Sequence, residues 1–416
     1  MQYLISSLIF LIPSFGMLAG LSAAALVTIF LLSIVIGNTL PQISISFRRR
    51  QESSNNVVPW LDHNHSIQLK IKKDSIAVWR GHSMTLLFAI WCLISCLFPI
   101  HLINSFTTFT QVFIILFFGF AVSNSAPFQN RLQLKKALIS GIFAAILLFF
   151  IEYSSHGFLT KIFKASFGLY MLDRGCALLS ITAWATIIIL LSSGKRRHAL
   201  MLYILVLYLL NSSDSLASFL GFSIGGIIFI LARFIKLIFF KLIAISLITC
   251  SLLFPVIAKQ IDPQYLSKKY LTTQASAAHR LFIWHFVANK IIAKPIIGYG
   301  FASSKYIEVT DSEMIDYKGE KWHPLPLHPH NNILQITLEL GIIGLILFLS
   351  LIYKYLKQID NIKNNDFRAA SYACFINYYI IGMISYNMWQ IWWISSGIWV
   401  LVLMKLLVKP DIVVDN

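Results

Sequence analysis

The sequence predicts an all-α, polytopic membrane protein with about twelve transmembrane helices and one large loop on the outer side. Three observations lead there. Of 416 residues, 57% are hydrophobic and 12% are charged, about half the charged share of a soluble domain, and the mean hydropathy is +0.73. Apolar stretches near the ~20 residues that a bilayer span requires recur along the chain. Lys and Arg gather in alternate loops, the pattern of cytoplasmic loops in membrane proteins. The formal charge of +17 therefore reads as membrane topology, with membrane lipids as partners and no nucleic-acid partner.

Taken in order, the first apolar run has no basic stretch ahead of it and reads as a retained span, not a cleaved signal peptide. Pro13, Gly16 and Gly20 divide the opening 44 residues into spans at 3–18 and 21–44. Further spans are expected at 83–100, 105–123, 135–153, 174–192, 198–211, 215–232, 236–257, 330–353, 369–388 and 391–408. With the N-terminus inside, the inner loops are 47–80 ("FRRRQ", "KIKK"), 130–136, 194–198, 233–236 and 354–368, each net positive. The short outer loops "PIHLINS", "NSSDS" and "NMWQ" contain no Lys or Arg. Fusing the first two spans would invert every later one and place the basic loops outside, so the division stands and both termini are expected in the cytoplasm.

Three regions follow: 1–257, with helices 1–9 and the basic loop 47–80; 258–329, a large periplasmic loop with an amphipathic helix; and 330–416, with helices 10–12 and the cytoplasmic C-terminus. Loop 47–80 is expected on anionic headgroups, and its His63 and His65, without a third ligand, as solvated surface. Cys92, Cys96, Cys176, Cys250 and Cys374 form no CxxC or metal-ligand spacing and read as small buried hydrophobes. No metal and no cofactor are predicted.

Ionisable groups at a membrane edge are costly, and so they are informative. Arg174 opens the sixth span beside Gly175. It reads as an interfacial anchor or as the holder of an anion, since a guanidinium at a helix N-terminus is badly placed for the macrodipole. In 211–226, Asp214 or Ser215 can cap a helix, and Gly221, Gly225 and Gly226 permit close packing. In 277–301, Leu281, Trp284, Val287, Ala288 and Ile291 recur at helical spacing behind His279 and Arg280, which suggests an amphipathic helix on the membrane surface. Pro295 and Gly298 end it. His328 and His330 precede Asn331, a candidate cap for the tenth span. A histidine there is either a satisfied interfacial group or, kept neutral by the dipole, a proton acceptor. Glu339, nine residues on, lies on roughly the opposite helix face from His330 and reads as a packing group.

Two guanidiniums suit a diphosphate, a neutral imidazole suits proton removal from a hydroxyl, and the membrane edge suits a lipid-anchored substrate. Together they suggest transfer of a glycan from a lipid pyrophosphate in a single inverting displacement. No second carboxylate is visible that would support retention.

These residues resemble the O-antigen ligase family, which shares a region with O-antigen polymerases and protein O-oligosaccharyltransferases. The carrying motif is His330-Asn331, nine residues, then Gly341-x-x-Gly344. Arg280, Trp284, Pro295, Gly298 and Gly300 match the family's R-x-x-x-W and P-x-x-G-x-G pattern, and Arg174-Gly175 its early outer Arg-Gly. The resemblance implies a GT-C-like helical fold and His330 as catalytic base, with His328 its rival. It implies Arg174 and Arg280 as binders of the donor pyrophosphate, with Asn331, Trp284 and Gly175 in support. The implied partners are an undecaprenyl-pyrophosphate-linked glycan and a lipid A–core acceptor, at the periplasmic face of the bacterial inner membrane. Loop 47–80 has no family counterpart. A polymerase would use the same donor with a different acceptor, as would a protein-glycosylating enzyme. A glycan transporter would carry internal repeats and midplane charges, and neither is seen.

Overall fold

The computed structural model describes residues 7–14, 83–123, 131–163, 166–235, 238–271 and 275–407. The helices are α1 (7–14), α2 (Ser83–Ser95), α3 (Leu102–Ser123), α4 (Arg131–Ser154), the short α5 (Phe158–Phe163), α6 (Asp173–Ser192), α7 (Arg196–Ser212) and α8 (Leu216–Phe234). They continue with α9 (Phe239–Gln260), α10 (Pro263–Tyr270), α11 (Ala275–Ala293), α12 (Asn332–Asp360), α13 (Asn365–Ile384) and α14 (Ile391–Leu407). A two-stranded antiparallel hairpin, β1 (Ile315–Tyr317) and β2 (Glu320–Trp322), decorates the large loop. An α-helix satisfies its backbone internally within a bilayer and an open two-stranded hairpin does not, and the hairpin is confined to a loop.

Among the described residues, six helices are long and apolar enough to cross a membrane, lying in α3, α4, α6 with the turn before it, α8, α9 and α12. The chain is a multi-pass helical membrane protein. Every span expected beyond residue 82 coincides with a helix. The span 21–44 and the loop 47–80 lie outside the described residues, and 3–18 is described only over 7–14.

Burial separates the helices that sequence hydropathy makes look alike. α6 is apolar on all sides because protein surrounds it, and every residue from Gly175 to Ile189 is buried. α9 is equally apolar, yet most of it faces outward, toward lipid. Cys250 sits on that outer face and is exposed, a correction to the expectation that all five cysteines are buried. α8 lies along α13 at close range: a Cβ on Gly225 would stand 3.0 Å from the Ala373 carbonyl and from Trp184. The expected cap of α8 is not made. Ser215 occupies the cap position without a capping bond and gives its hydroxyl to Asp173.

α11 falls where an amphipathic helix is expected on the membrane surface, but protein covers it: of the expected stripe Val287, Ala288 and Ile291 are buried and Leu281 and Trp284 only partly so. Ile283, Phe286, Val287 and Ile291 pack with Ala258 of α9 and with Leu334 and Leu338 of α12. This seats the large loop on the bundle.

α12 breaks at Gly341, where φ is 66° and ψ is −168°. The break frees backbone groups that a bilayer cannot satisfy, and a neighbouring strap does so. Tyr299 and Gly300 donate to the carbonyls of Leu338 and Glu339, both at 2.9 Å, and Ile342 donates to Pro295 at 2.9 Å. Trp91 of α2 donates to the Leu340 carbonyl at 3.0 Å. The two glycine patterns of the sequence are thus the two halves of one interlock. A Cβ on Gly298 would lie 2.6 Å from the Glu339 carbonyl group, so only glycine allows the strap this close.

Candidate active site

The site forms where α6, α8, α12 and α14 begin and α13 ends, at one end of the bundle. Asn331 caps α12, its side-chain oxygen accepting from the Leu334 amide at 2.9 Å and its amide donating to the Met383 carbonyl at 3.1 Å. This is the cap expected from sequence. It fixes the preceding residue, His330, which takes a left-handed φ of 52°. Trp284 of α11 donates to the Pro329 carbonyl at 3.1 Å, tying that helix to the histidine turn.

The two histidines touch, with ring centroids 4.1 Å apart, but their hydrogen bonds differ. His330 Nδ1 lies 2.7 Å from the Ser385 carbonyl. A carbonyl oxygen only accepts, so Nδ1 carries the proton and Nε2 keeps the lone pair. His328 Nδ1 accepts from the His330 amide at 3.2 Å, which spends that ring's lone pair on backbone when it is neutral. Burial, above all, makes both less basic. His328 is pushed down to about 3 by burial, by His330 and by Arg280. His330 is lowered by burial and by Arg280, while the Ser385 carbonyl opposes the shift.

Arg280, from α11, is mostly buried, and its Nε has no hydrogen-bond partner among the described residues. Burial depresses its pKa, and the negative charge of Asp173 opposes that. A buried guanidinium nitrogen without a partner is a costly feature that an anion would relieve. Arg174, in the first turn of α6, stands over the Trp392 ring at 5.6 Å. Gly175 is buried in the same turn.

Sequence reasoning missed Asp173. Its carboxylate accepts from Tyr386 at 2.9 Å and from Ser215, and its charge acts on Arg280. It was overlooked as the residue beside Arg174, although an acid next to a membrane-edge arginine is itself a signal. One carboxylate therefore stands in the site beside the groups the sequence singled out. Ser385, Tyr386 and Trp392 flank the short outer loop "NMWQ", which drew notice only for its lack of charge.

Glu339 takes no part in this cluster. It is fully buried and accepts from the Ala302 amide at 2.9 Å, the Ser304 amide at 3.2 Å, Gln335 at 3.1 Å, Trp389 at 2.5 Å and the Ser304 hydroxyl. It pins the strap and the start of α14 to α12, in keeping with its reading as a packing group.

Fold and site define a multi-pass helical membrane protein with a cationic, imidazole-bearing site at one end of its bundle. The chain belongs to the O-antigen ligase family. The family described as O-antigen ligase matches residues 198–349, a stretch that contains Arg280, Trp284, His328 and His330 and starts after Arg174. A Rickettsia conorii protein is 79% identical over all of both chains, a Rickettsia felis protein 74% and a Rickettsia typhi protein 70%, likewise over full length. All three carry the provisional name polysaccharide ligase. No solved structure matches the chain.

Proposed function

We propose that this protein is an O-antigen ligase, a glycosyltransferase that moves a polysaccharide from undecaprenyl pyrophosphate to a sugar hydroxyl of a lipid A–core acceptor. The reading places a twelve-span, GT-C-like chain in the bacterial inner membrane, with both termini cytoplasmic and the site facing the periplasm. Family membership and the full-length relatives' names support the class of reaction. Segregated charge supports the orientation: Lys195, Arg196, Arg197, Arg233, Lys357 and Arg368 lie at the bundle end opposite the site.

In this mechanism the acceptor hydroxyl attacks the anomeric carbon of the donor sugar. His330 Nε2 takes the hydroxyl proton as the new C–O bond forms, and the bond to the lipid pyrophosphate breaks with inversion. Arg280 and Arg174 receive the charge that develops on the leaving pyrophosphate, the task a divalent metal performs elsewhere. The observation that carries the reading is the tautomer of His330. Ser385 holds Nδ1–H, so Nε2 is left as a base within the electrostatic reach of Arg280, whose Nε has no partner among the described residues. Asn331 and Trp284 position the histidine turn, and the His330 amide consumes the lone pair of His328.

The test is complementation of a deletion strain at matched membrane expression. His330→Ala is expected to abolish glycan attachment while lipid-linked polymer accumulates, and His328→Ala to retain attachment at a reduced rate. Full-length attachment by His330→Ala would overturn the base assignment. A single-repeat band in the deletion strain would identify a polymerase, which shares the donor but not the acceptor.

A further inference from the structure

α11 presents a second polar site on its far side. At 100° per residue, Phe282, His285, Phe286 and Asn289 fall on the face opposite Arg280. There they line an open cleft of about 330 Å³ together with Lys290, Glu313, Ile315 and Pro324. This is the lower end of the ~300–1,000 Å³ range of small-ligand sites, with room for one or two sugar rings. We propose that this cavity is a saccharide subsite that holds sugars remote from the one being transferred. The inference rests on the glycan-transfer reading and deepens it.

Three features select a neutral, hydroxyl-rich ligand. His285 lines the cavity, and an imidazole can hydrogen-bond a sugar hydroxyl. Lys290 is spent on Glu313, at 2.9 Å, and on the Phe286 ring, at 5.0 Å. The wall therefore offers paired charges and not a free cation for a phosphate. Phe282 and Phe286 add an apolar wall whose rings are largely covered, Phe282 by Tyr317 and Trp322 and Phe286 by Lys290, and the exposed Asn289 adds an amide at the rim.

Along the helix axis His285 stands about 8 Å and Asn289 about 14 Å from Arg280, on the opposite face. A sugar at the reacting centre cannot fill the cavity, whereas one further along a glycan can. That glycan is either the donor polymer or the acceptor core.

The experiment uses the purified full chain, with His285→Ala and the rim variant Asn289→Ala checked for unchanged melting temperature. Lipid-free oligosaccharide from the donor polymer and from the core is titrated against each protein. Transfer is then measured with single-repeat and long-chain donors on full and truncated cores. One oligosaccharide should bind the wild type, and each variant should bind it about tenfold more weakly, the loss of roughly one hydrogen bond. KM should rise similarly for the long form of that same substrate, with kcat and the short form unaffected. A rise with long donor identifies the donor polymer as the occupant, and a rise with full core identifies the acceptor. Absence of saccharide binding to wild type, or equal binding by all three proteins, overturns the subsite. Failure of wild type to transfer glycan between the two lipids overturns the ligase reading instead, because the binding arm does not depend on catalysis.

Discussion

Replacing Gly341 by alanine tests whether the Gly-x-x-Gly pattern is a backbone requirement. Its φ of 66° and ψ of −168° lie in a region open almost only to glycine, and occupying it with a side chain costs about 1–3 kcal/mol. A Cβ would also run into the Ile296 carbonyl and approach the Ile297 nitrogen to 2.6 Å. The strap would have to retreat, weakening the Ile342–Pro295 bond of 2.9 Å and the longer Ile343–Ile296 contact of 3.5 Å, at about 1 kcal/mol for each bond lost. The expected total is roughly 3–5 kcal/mol. Gly194 is the control: its φ is 73°, but a Cβ there would meet nothing within 4 Å, leaving a left-handed cost of about 1–2 kcal/mol alone. Thermal unfolding of both variants in detergent, followed by tryptophan fluorescence, should show Gly341→Ala melting well below Gly194→Ala, with Gly194→Ala only slightly below wild type. Equal melting of Gly341→Ala and wild type would refute the interlock.

Two further outcomes follow from charges at the site. His328 is held down to about 3 in the fold, while an unfolded histidine titrates near 6.5. Its contribution to stability is therefore complete above about pH 6.5 and is lost as pH falls from there toward about 3, at about 1.4 kcal/mol per unit. Melting curves from pH 7 to 4 should show this slope, and His328→Gln should lessen it. Asp173→Asn removes an anion that competes with an incoming pyrophosphate for Arg280. Relief of repulsion on the order of 1 kcal/mol should lower the inhibition constant of inorganic pyrophosphate several-fold, and an unchanged constant would remove Asp173 from the site's electrostatics.

The helices were legible because hydropathy and loop charge are local properties. Which helix is central was not, because α6 and α9 read alike as sequence and differ only in what surrounds them. Asn331 as a cap, and the sidedness of Arg174, Arg280 and His330, could be read from short stretches. Which nitrogen of His330 keeps its lone pair could not, because it depends on the Ser385 carbonyl 55 residues away. The glycines of 298–300 and of 341 were visible as two motifs, but their mutual contact is a tertiary fact. Asp173 could have been read, and was hidden by attention to the cation beside it.

The stretch from Met383 to Trp392 reaches most of the site and the buried Glu339 anchor outside it. Met383 receives Asn331, Ser385 orients His330, Tyr386 holds Asp173, Asn387 bonds Gln335 at 2.9 Å, Trp389 completes the shell of Glu339 and Trp392 backs Arg174. A ribosome makes this stretch after all of those partners. The growing chain can thus place its arginines and its imidazole in the bilayer and still lack the groups that aim them. The site is completed only as the last described helix inserts, so a nascent or C-terminally truncated chain would carry the ingredients of the chemistry without its geometry.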